Sequence, residues 1–217
     1  MKKIKIYTCI SIILLVISII FTIMVKNIDV KAIGPEGSSV GFSTINQKVH
    51  DTFNYNEKWY KISKYCGMIP IMLACFYVGR GIKQLIQEKS LKKVDKRLYV
   101  LGALYILFAI VYFFFEKVII NYRPILEEGK LEASYPSSHT ILAICLCGSS
   151  ILISKYFIKN KTVRSILNIF TLIIMIAIVV GRILSGVHWF TDILGGIIIS
   201  LCMLSIFYTV ILKINKE

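Results

Sequence analysis

Long runs of apolar residues, separated by short polar segments, make up most of the chain. Six windows of about 20 largely apolar residues lie near 6–25, 65–86, 98–120, 137–157, 163–183 and 191–212. A bilayer core about 30 Å thick is spanned by a helix of about that length. Helices also pair their own backbone polar groups, as a bilayer requires. The pattern therefore predicts an all-α polytopic membrane protein, a bundle of six transmembrane helices.

The first two windows and the segment between them need separate interpretation. The first is expected to be a retained span, because its apolar run exceeds the roughly 7–15 residues of a signal peptide. Glycines and Pro70 interrupt or border the second window, which membrane bundles tolerate. Residues 26–64 mix aromatic residues with lysines and fit either an interfacial segment, with Trp59 at headgroup depth, or a solvated loop. No second domain is indicated, so 1–217 is interpreted as one membrane domain.

The basic residues indicate an orientation for this bundle. The net charge is +14 and the mean hydropathy +0.72, but the basic residues lie in short connections rather than in one patch. Membrane topology explains them better than nucleic-acid binding does. If the N-terminus is cytoplasmic, 16 of the 26 Lys and Arg residues fall in inside segments, among them the dense 80–97 connection and Lys216. The positive-inside rule then predicts both termini in the cytoplasm.

Three ionisable residues interrupt the apolar pattern at the junction of the last two windows, in GRILSGVHWFTD. His188 and Asp192 are four residues apart, so on a helix they share one face, and the carboxylate can accept the proton of one imidazole nitrogen. A neutral imidazole held in this way can act as a nucleophile or base. Arg182 lies near the end of the preceding window, where a guanidinium would bind a phosphate or carboxylate bidentately.

Two further clusters, KVIINYRP and YPSSHT, fall on the same predicted outer side. Pro136 and the serines after it mark a helix start, whose free N–H groups and dipole form an anion site. His139, in that first turn, could donate a proton to a leaving oxygen. Basic residues at span ends often only snorkel to headgroups. Two histidines, two arginines and an aspartate on one side nevertheless favour a functional site, since ionisable groups beside spans are costly.

These clusters resemble the signature of the type 2 phosphatidic acid phosphatase superfamily, which also contains vanadium-dependent haloperoxidases and bacterial acid phosphatases. That signature is K-x6-R-P, then P-S-G-H, then S-R-x5-H-x3-D. The matching residues are Arg123-Pro124, Pro136-Ser137-x-His139 and Arg182-x5-His188-x3-Asp192, in the same order and spacing. The chain departs from it at three positions: Lys117 is one residue nearer to the arginine, Ser138 replaces the glycine, and Gly181 replaces the serine.

The resemblance, which covers 117–192, implies a covalent mechanism. His188 would attack phosphorus, Asp192 would orient it, and His139 would protonate the leaving group. The implied phosphate ligands are Arg123, Arg182, Ser137, the Ser138 amide and Lys117. No metal or other cofactor is expected, because cationic side chains would replace it, and the sequence contains no clear acidic or His/Cys metal cluster.

The integral-membrane members of this family act on lipid phosphates, so the resemblance implies a lipid phosphatase at the outer face of a bacterial-type cytoplasmic membrane. A polyprenyl diphosphate such as undecaprenyl diphosphate is the favoured substrate, followed by phosphatidylglycerophosphate or phosphatidate. A lipid-linked phosphotransferase begins with the same covalent step and stays an alternative. A membrane transporter could also place such residues within spans, but would not need these spacings. The expected partners are the bilayer and the lipid phosphate, with no nucleic acid and no obligate protein partner.

Overall fold

The computed structural model describes residues 1–215, so the inside charge assigned to Lys216 lies outside the described residues. Eight α-helices form the chain, and no strand occurs among residues 1–215. The helices are α1 (Lys2–Asn27), α2 (Ser43–Phe53), α3 (Glu57–Cys66), α4 (Met68–Glu88), α5 (Lys96–Lys117), α6 (Ser138–Phe157), α7 (Lys161–Leu184) and α8 (Phe190–Ile214).

Within residues 1–215, six helical segments are long and apolar enough to cross a membrane, which confirms the predicted fold class. The second of them spans Glu57–Glu88 and combines α3 with α4, which meet at Gly67, so helix begins earlier than the predicted window. An asparagine explains the early start, because the Asn56 side chain accepts a hydrogen bond from the Trp59 N–H and caps α3. Asp95 and Asn160 cap α5 and α7 in the same way.

The most buried span is α6, which packs against α4, α5, α7 and α8, while α1 packs along α8. Ile141, Cys145 and Ile153 of α6 form a core with Met203 and Phe207 of α8. The outer helices instead expose apolar side chains, as expected for surfaces in contact with lipid tails. This arrangement explains why hydrophobic periodicity alone cannot distinguish the core from the lipid-facing side.

All three sequence clusters lie at one end of the bundle. There α5 and α7 end, α6 and α8 begin, and the 118–137 connection runs between them; we call this the junction end. The connection folds back on itself, because Tyr122 pairs with Ala133 in an isolated antiparallel bridge. The Ser134 N–H donates to the Asn121 carbonyl, 2.9 Å away. This pairing brings residues that are far apart along the connection side by side, and the connection contacts α3 through the hydrogen bond from Tyr60 to Glu127.

Candidate active site

The nucleophile candidate and its aspartate are linked by a third side chain, the hydroxyl of Ser134. This hydroxyl donates to Oδ2 of Asp192 at 2.5 Å and lies 3.0 Å from Nδ1 of His188. The direct distance from His188 Nδ1 to Asp192 Oδ2 is 3.9 Å, too long for a hydrogen bond. The sequence predicted a direct carboxylate–imidazole bond, whereas the structure places a serine between the two groups.

Asp192 is fully buried, and its position is fixed by two further donors besides Ser134. The Trp189 N–H donates to Oδ2 at 2.8 Å, as in a helix N-terminal cap, and the Asn121 side-chain amide donates to Oδ1 at 3.3 Å. Asn121 and Ser134 reach the same carboxylate because they are paired across the folded connection. The connection therefore supplies the environment of a residue that belongs to α8.

Arg182, in the last turn of α7, has no solvent-exposed surface. Among the residues of the described chain, none forms a hydrogen bond with its three guanidinium nitrogens. The guanidinium carbon lies 5.4 Å from the centre of the Tyr60 ring, a cation–π distance. Buried charges are ordinarily paired, so this group is suited to an anion from outside the protein.

Arg123 contacts two carboxylates of its own connection. It forms an ion pair with Glu127, and its second terminal nitrogen lies 3.5 Å from a Glu132 oxygen. The Tyr60 hydroxyl donates to the other oxygen of Glu127 at 2.6 Å. Burial raises the pKa of Glu127, but this hydrogen bond and the charge of Arg123 together hold it below its ordinary value. Arg123 therefore faces an internal carboxylate that is ionised at neutral pH.

The motif serines and His139 lie at the beginning of α6. Ser137 precedes α6, and no side chain caps this helix start. The N–H groups of the first turn point out of the helix end, where no capping side chain accepts from them. The N–H of Ser137 itself donates to the Asp192 carbonyl at 3.0 Å. His139, in the first turn, is near Gly67, and within residues 1–215 its Nδ1 has no hydrogen-bond partner.

A small cavity of about 20 Å³ brings part of the predicted site together with α5. Its polar lining comprises Arg123, Ser134, Ser138 and His188, together with Glu116. Its apolar wall is formed mainly by Phe108, Tyr112, Phe115, Tyr135, Pro136 and Ile141. Ser137, His139, Arg182 and Asp192 lie around the cavity rather than in its lining. At this volume the cavity has room for about one water molecule between the aromatic wall and the polar groups.

Lys117 is a further predicted ligand that does not line this cavity. It is the exposed last residue of α5, and its neighbour Glu116 lines the cavity instead. A shift of one residue along a helix rotates the side chain by about 100°. This rotation is the physical consequence of the shortened spacing between Lys117 and Arg123.

The electrostatic surroundings of His188 favour its neutral form. Burial, followed by the positive charges of Arg182 and Arg123, lowers the pKa of His188 well below its ordinary value of 6.5. At neutral pH the ring therefore has one protonated nitrogen and one with a free lone pair. Within the described part of the chain, Nε2 of His188 has no hydrogen-bond partner. A neutral imidazole with a free nitrogen has the properties of a nucleophile.

Sequence reasoning did not find Ser134, Asn121, Glu127 or Tyr60. None of them belongs to a recognised motif, and each reaches the site through the fold of the 118–137 connection or the packing of α3 on α7. Among residues 1–215, no three His, Cys, Asp or Glu side chains form a group that could hold a metal ion.

A buried arginine and a buried histidine–serine–aspartate group lie together at one end of a six-span bundle, as expected of an integral-membrane protein with a polar site at one membrane face. The PAP2 superfamily model matches residues 113–216. A crystal structure of a transmembrane PAP2-type phosphatidylglycerolphosphate phosphatase from Bacillus subtilis matches with a TM-score of 0.59 and 17% identity, covering 94% of this chain and 96% of that one. These findings support the assignment of the chain to the PAP2 superfamily. A search of curated proteins finds no match.

Proposed function

We propose that this protein is a membrane lipid phosphatase that transfers a phosphoryl group from a lipid to His188 and then to water. The observation that carries the proposal is the buried guanidinium of Arg182, which lies within electrostatic reach of His188 and has no hydrogen-bond partner among residues 1–215. A phosphate group supplies the paired oxygens that such a guanidinium binds best. Assignment to the PAP2 superfamily supports the same conclusion.

Phosphate binding would involve both arginines and the first turn of α6. Arg182 would bind two phosphoryl oxygens bidentately, and Arg123 would bind a third after exchanging its ion pair with Glu127. The Ser138 amide, at the positive end of the α6 dipole, would donate to a further oxygen. Ser137 and Lys117 stay predicted ligands. Because these groups carry the positive charge that stabilises a phosphoryl transition state, the proposed reaction is independent of a metal.

The reaction would proceed in two displacements. In the first, Nε2 of His188 forms a bond to phosphorus while the bond from phosphorus to the leaving oxygen breaks, and protonated His139 gives that oxygen its proton. The leaving oxygen is that of the lipid alcohol in a monophosphate and that of the lipid monophosphate in a diphosphate. In the second, His139 takes a proton from water, the water oxygen bonds to phosphorus, and the phosphorus–nitrogen bond breaks. Phosphate leaves, and His188 returns to its neutral form. Asp192 would hold the imidazole in the orientation that both displacements need.

A lipid substrate is supported by the position of the cavity at the junction end of the bundle. Phe108, Tyr112 and Phe115 of its aromatic wall belong to α5, a span whose surface is largely exposed and apolar. The phosphate could therefore reach the arginines while the hydrocarbon tail stays in the bilayer. A polyprenyl diphosphate is our first candidate and phosphatidylglycerophosphate or phosphatidate the second. The structural neighbour from Bacillus subtilis is described as a phosphatidylglycerolphosphate phosphatase, so a substrate panel must include both classes.

The proposal is tested by phosphate release from purified protein in detergent, with EDTA present. We expect release from at least one of undecaprenyl diphosphate, phosphatidylglycerophosphate and phosphatidate. His188→Ala should lower the rate by more than about 10³-fold, because the nucleophile is lost. The matched control is His50→Ala, since His50 packs against Trp189 outside the cavity lining and has no proposed role.

Two results would count against the proposal. Phosphate release retained by His188→Ala would remove the nucleophile assignment, and activity abolished by EDTA would remove metal independence. A phosphotransferase is distinguished by adding a second lipid alcohol and measuring its phosphorylated product by mass spectrometry. Preferential phosphorylation of that alcohol over phosphate release would replace the hydrolase by the transferase.

A further inference from the structure

The hydroxyl of Ser134 has one proton and two polar neighbours, which fixes the direction of both hydrogen bonds. Asp192 Oδ2 lies 2.5 Å from this hydroxyl and 2.8 Å from the Trp189 N–H, so this oxygen is positioned as the acceptor of two donors, as in an ionised carboxylate. The single hydroxyl proton must therefore point to Asp192. The serine oxygen is then available to His188 Nδ1, 3.0 Å away, only as an acceptor.

It follows that the Nδ1 atom of neutral His188 carries the ring proton. The other ring nitrogen, Nε2, is then the one with the lone pair, and among residues 1–215 it has no hydrogen-bond partner. In the opposite tautomer, Nε2 would carry the proton and could not attack phosphorus. The orientation of one serine hydroxyl thus decides whether the reactive nitrogen is free.

We propose that Ser134 is a positioning residue that couples Asp192 to His188 by accepting the Nδ1 proton of the histidine and donating its own to the aspartate. The inference deepens the proposed function and rests on His188 being its nucleophile. Asp192 would act on the imidazole through the serine oxygen, because the two groups are 3.9 Å apart at their nearest recorded approach. No group transfer involves Ser134, whose proton and oxygen stay where they are.

A substitution of Ser134 can distinguish this positioning role from a purely structural one, because the neighbouring groups keep their other hydrogen bonds. Asp192 keeps its bonds to the Trp189 N–H and the Asn121 amide when the serine hydroxyl is removed. The backbone of Ser134 stays paired with Asn121. Ser134→Ala therefore removes the hydroxyl contact with His188 and keeps the backbone hydrogen bond between residue 134 and His188, while the carboxylate and the connection retain their other bonds.

The first test is spectroscopic and needs no substrate. The chain has only three histidines, so protein labelled with ¹⁵N-histidine gives three sets of ring signals, and His188→Ala identifies those of His188. We expect His188 of the wild type to be neutral at pH 7, with its proton on Nδ1. In Ser134→Ala the signals should shift towards a mixture of tautomers. The control is Ser154→Ala, a buried serine of α6 whose hydroxyl donates to the Ile151 carbonyl.

A wild-type His188 protonated on Nε2, or a Ser134→Ala spectrum unchanged at His188, would overturn the proposal. Unchanged signals of His50 and His139 in the variant would show that the fold is intact. If the wild type released no phosphate from any lipid, the proposed function would fail, and the spectra would still decide the role of Ser134.

The second test is a double-mutant cycle in the phosphate-release assay. Ser134→Ala should lower kcat by about 10²-fold and change KM by less than about threefold, since the lost contact orients the nucleophile rather than the phosphate. If Asp192 acts through Ser134, the double variant with Asp192→Asn should be within about threefold of the slower single variant. Losses that multiply would show independent roles and contradict the coupling.

Discussion

Arg182 lies in surroundings that are costly for a charged group. Its guanidinium is buried, close to a second arginine, and packed on the Tyr60 ring rather than on a carboxylate. Such an arrangement is unfavourable in the isolated protein and becomes favourable when an anion binds. Glu127 could neutralise part of this charge, but it is paired with Arg123. The charge of Arg182 therefore has no paired carboxylate among residues 1–215 at the position proposed for phosphate.

Gly181, which replaces the motif serine, is explained by the close approach of α3 to α7. A Cβ atom at this position would lie 2.9 Å from the Cβ of Ser63, a fully buried residue of α3. Side chains at both positions would overlap. The side chain of Ser63 in α3 thus occupies the space that a side chain at position 181 would need.

Gly181→Ala is expected to lower the stability of the protein by about 1–3 kcal/mol, because overpacking forces α3 away from α7. The measurement is the thermal unfolding temperature in detergent. The double variant with Ser63→Gly should recover part of the loss. Gly102→Ala in α5 is the control, since a Cβ there meets no atom within 4 Å and should not destabilise. Equal stability of Gly181→Ala and wild type would show that α3 does not pack as described.

Among the elements, two segments that do not span the membrane, the 118–137 connection and α2, contribute to the site as much as the spanning helices do. The 118–137 connection supplies Arg123, Ser134 and Asn121. Helix α2 is tied to the start of α8 by Asn46, whose amide donates to the Gly41 carbonyl at 2.7 Å and to the Thr191 hydroxyl at 2.9 Å. The Asn46 oxygen accepts from the Thr191 N–H at 3.1 Å. Thr191 immediately precedes Asp192, so this contact holds the first turn of α8, to which Asp192 belongs.

Asn46→Ala should destabilise the protein by about 1–3 kcal/mol, because it leaves buried backbone groups of Gly41 and Thr191 without their partner. Thermal unfolding in detergent measures the loss, and phosphate release should fall with it as Asp192 loses support. Lys48→Ala, an exposed change in the same helix, is the control. Unfolding temperatures that agree between the two variants would contradict the role of Asn46 in docking α2.

Across the whole molecule, successive spans run in opposite directions, so the helix ends lie at two opposite ends of the bundle. The ends of α5 and α7 and the beginnings of α6 and α8 lie together, which concentrates the ionisable groups at the junction end. The opposite end carries the basic connection between α4 and α5. The positive-inside rule assigns that connection to the cytoplasm and the junction end to the outside.

This orientation is tested by cysteine labelling in intact cells. Lys130→Cys, in the connection at the junction end, should react with an impermeant thiol reagent added outside. Lys92→Cys, in the opposite connection, should react only after lysis. The unmodified chain is the blank, because Cys9 and Cys75 are exposed in the structure. The reverse pattern would place both termini outside and the active site in the cytoplasm.

The sequence predicted the six spans, which are confirmed, and a resemblance to the PAP2 superfamily, which the family-model match over residues 113–216 supports. It did so because a bilayer imposes a fixed helix length and because the motif residues are close together along the chain. The predicted helix ends were less accurate where a capping side chain sets the end, as Asn56 does at the start of α3. The roles of the site residues stay predictions, and the environment of each became visible only in the fold.

By itself, the sequence determined that this chain crosses a membrane six times and carries histidines, arginines and an aspartate at motif spacing. Only the tertiary structure decided that Ser134 lies between His188 and Asp192, that Ser63 packs against Gly181, and that Lys117 is exposed away from the cavity. The physical reason is that spacing along one helix fixes which residues share a face. Contacts between a folded connection and separate helices depend on pairings that no local pattern records.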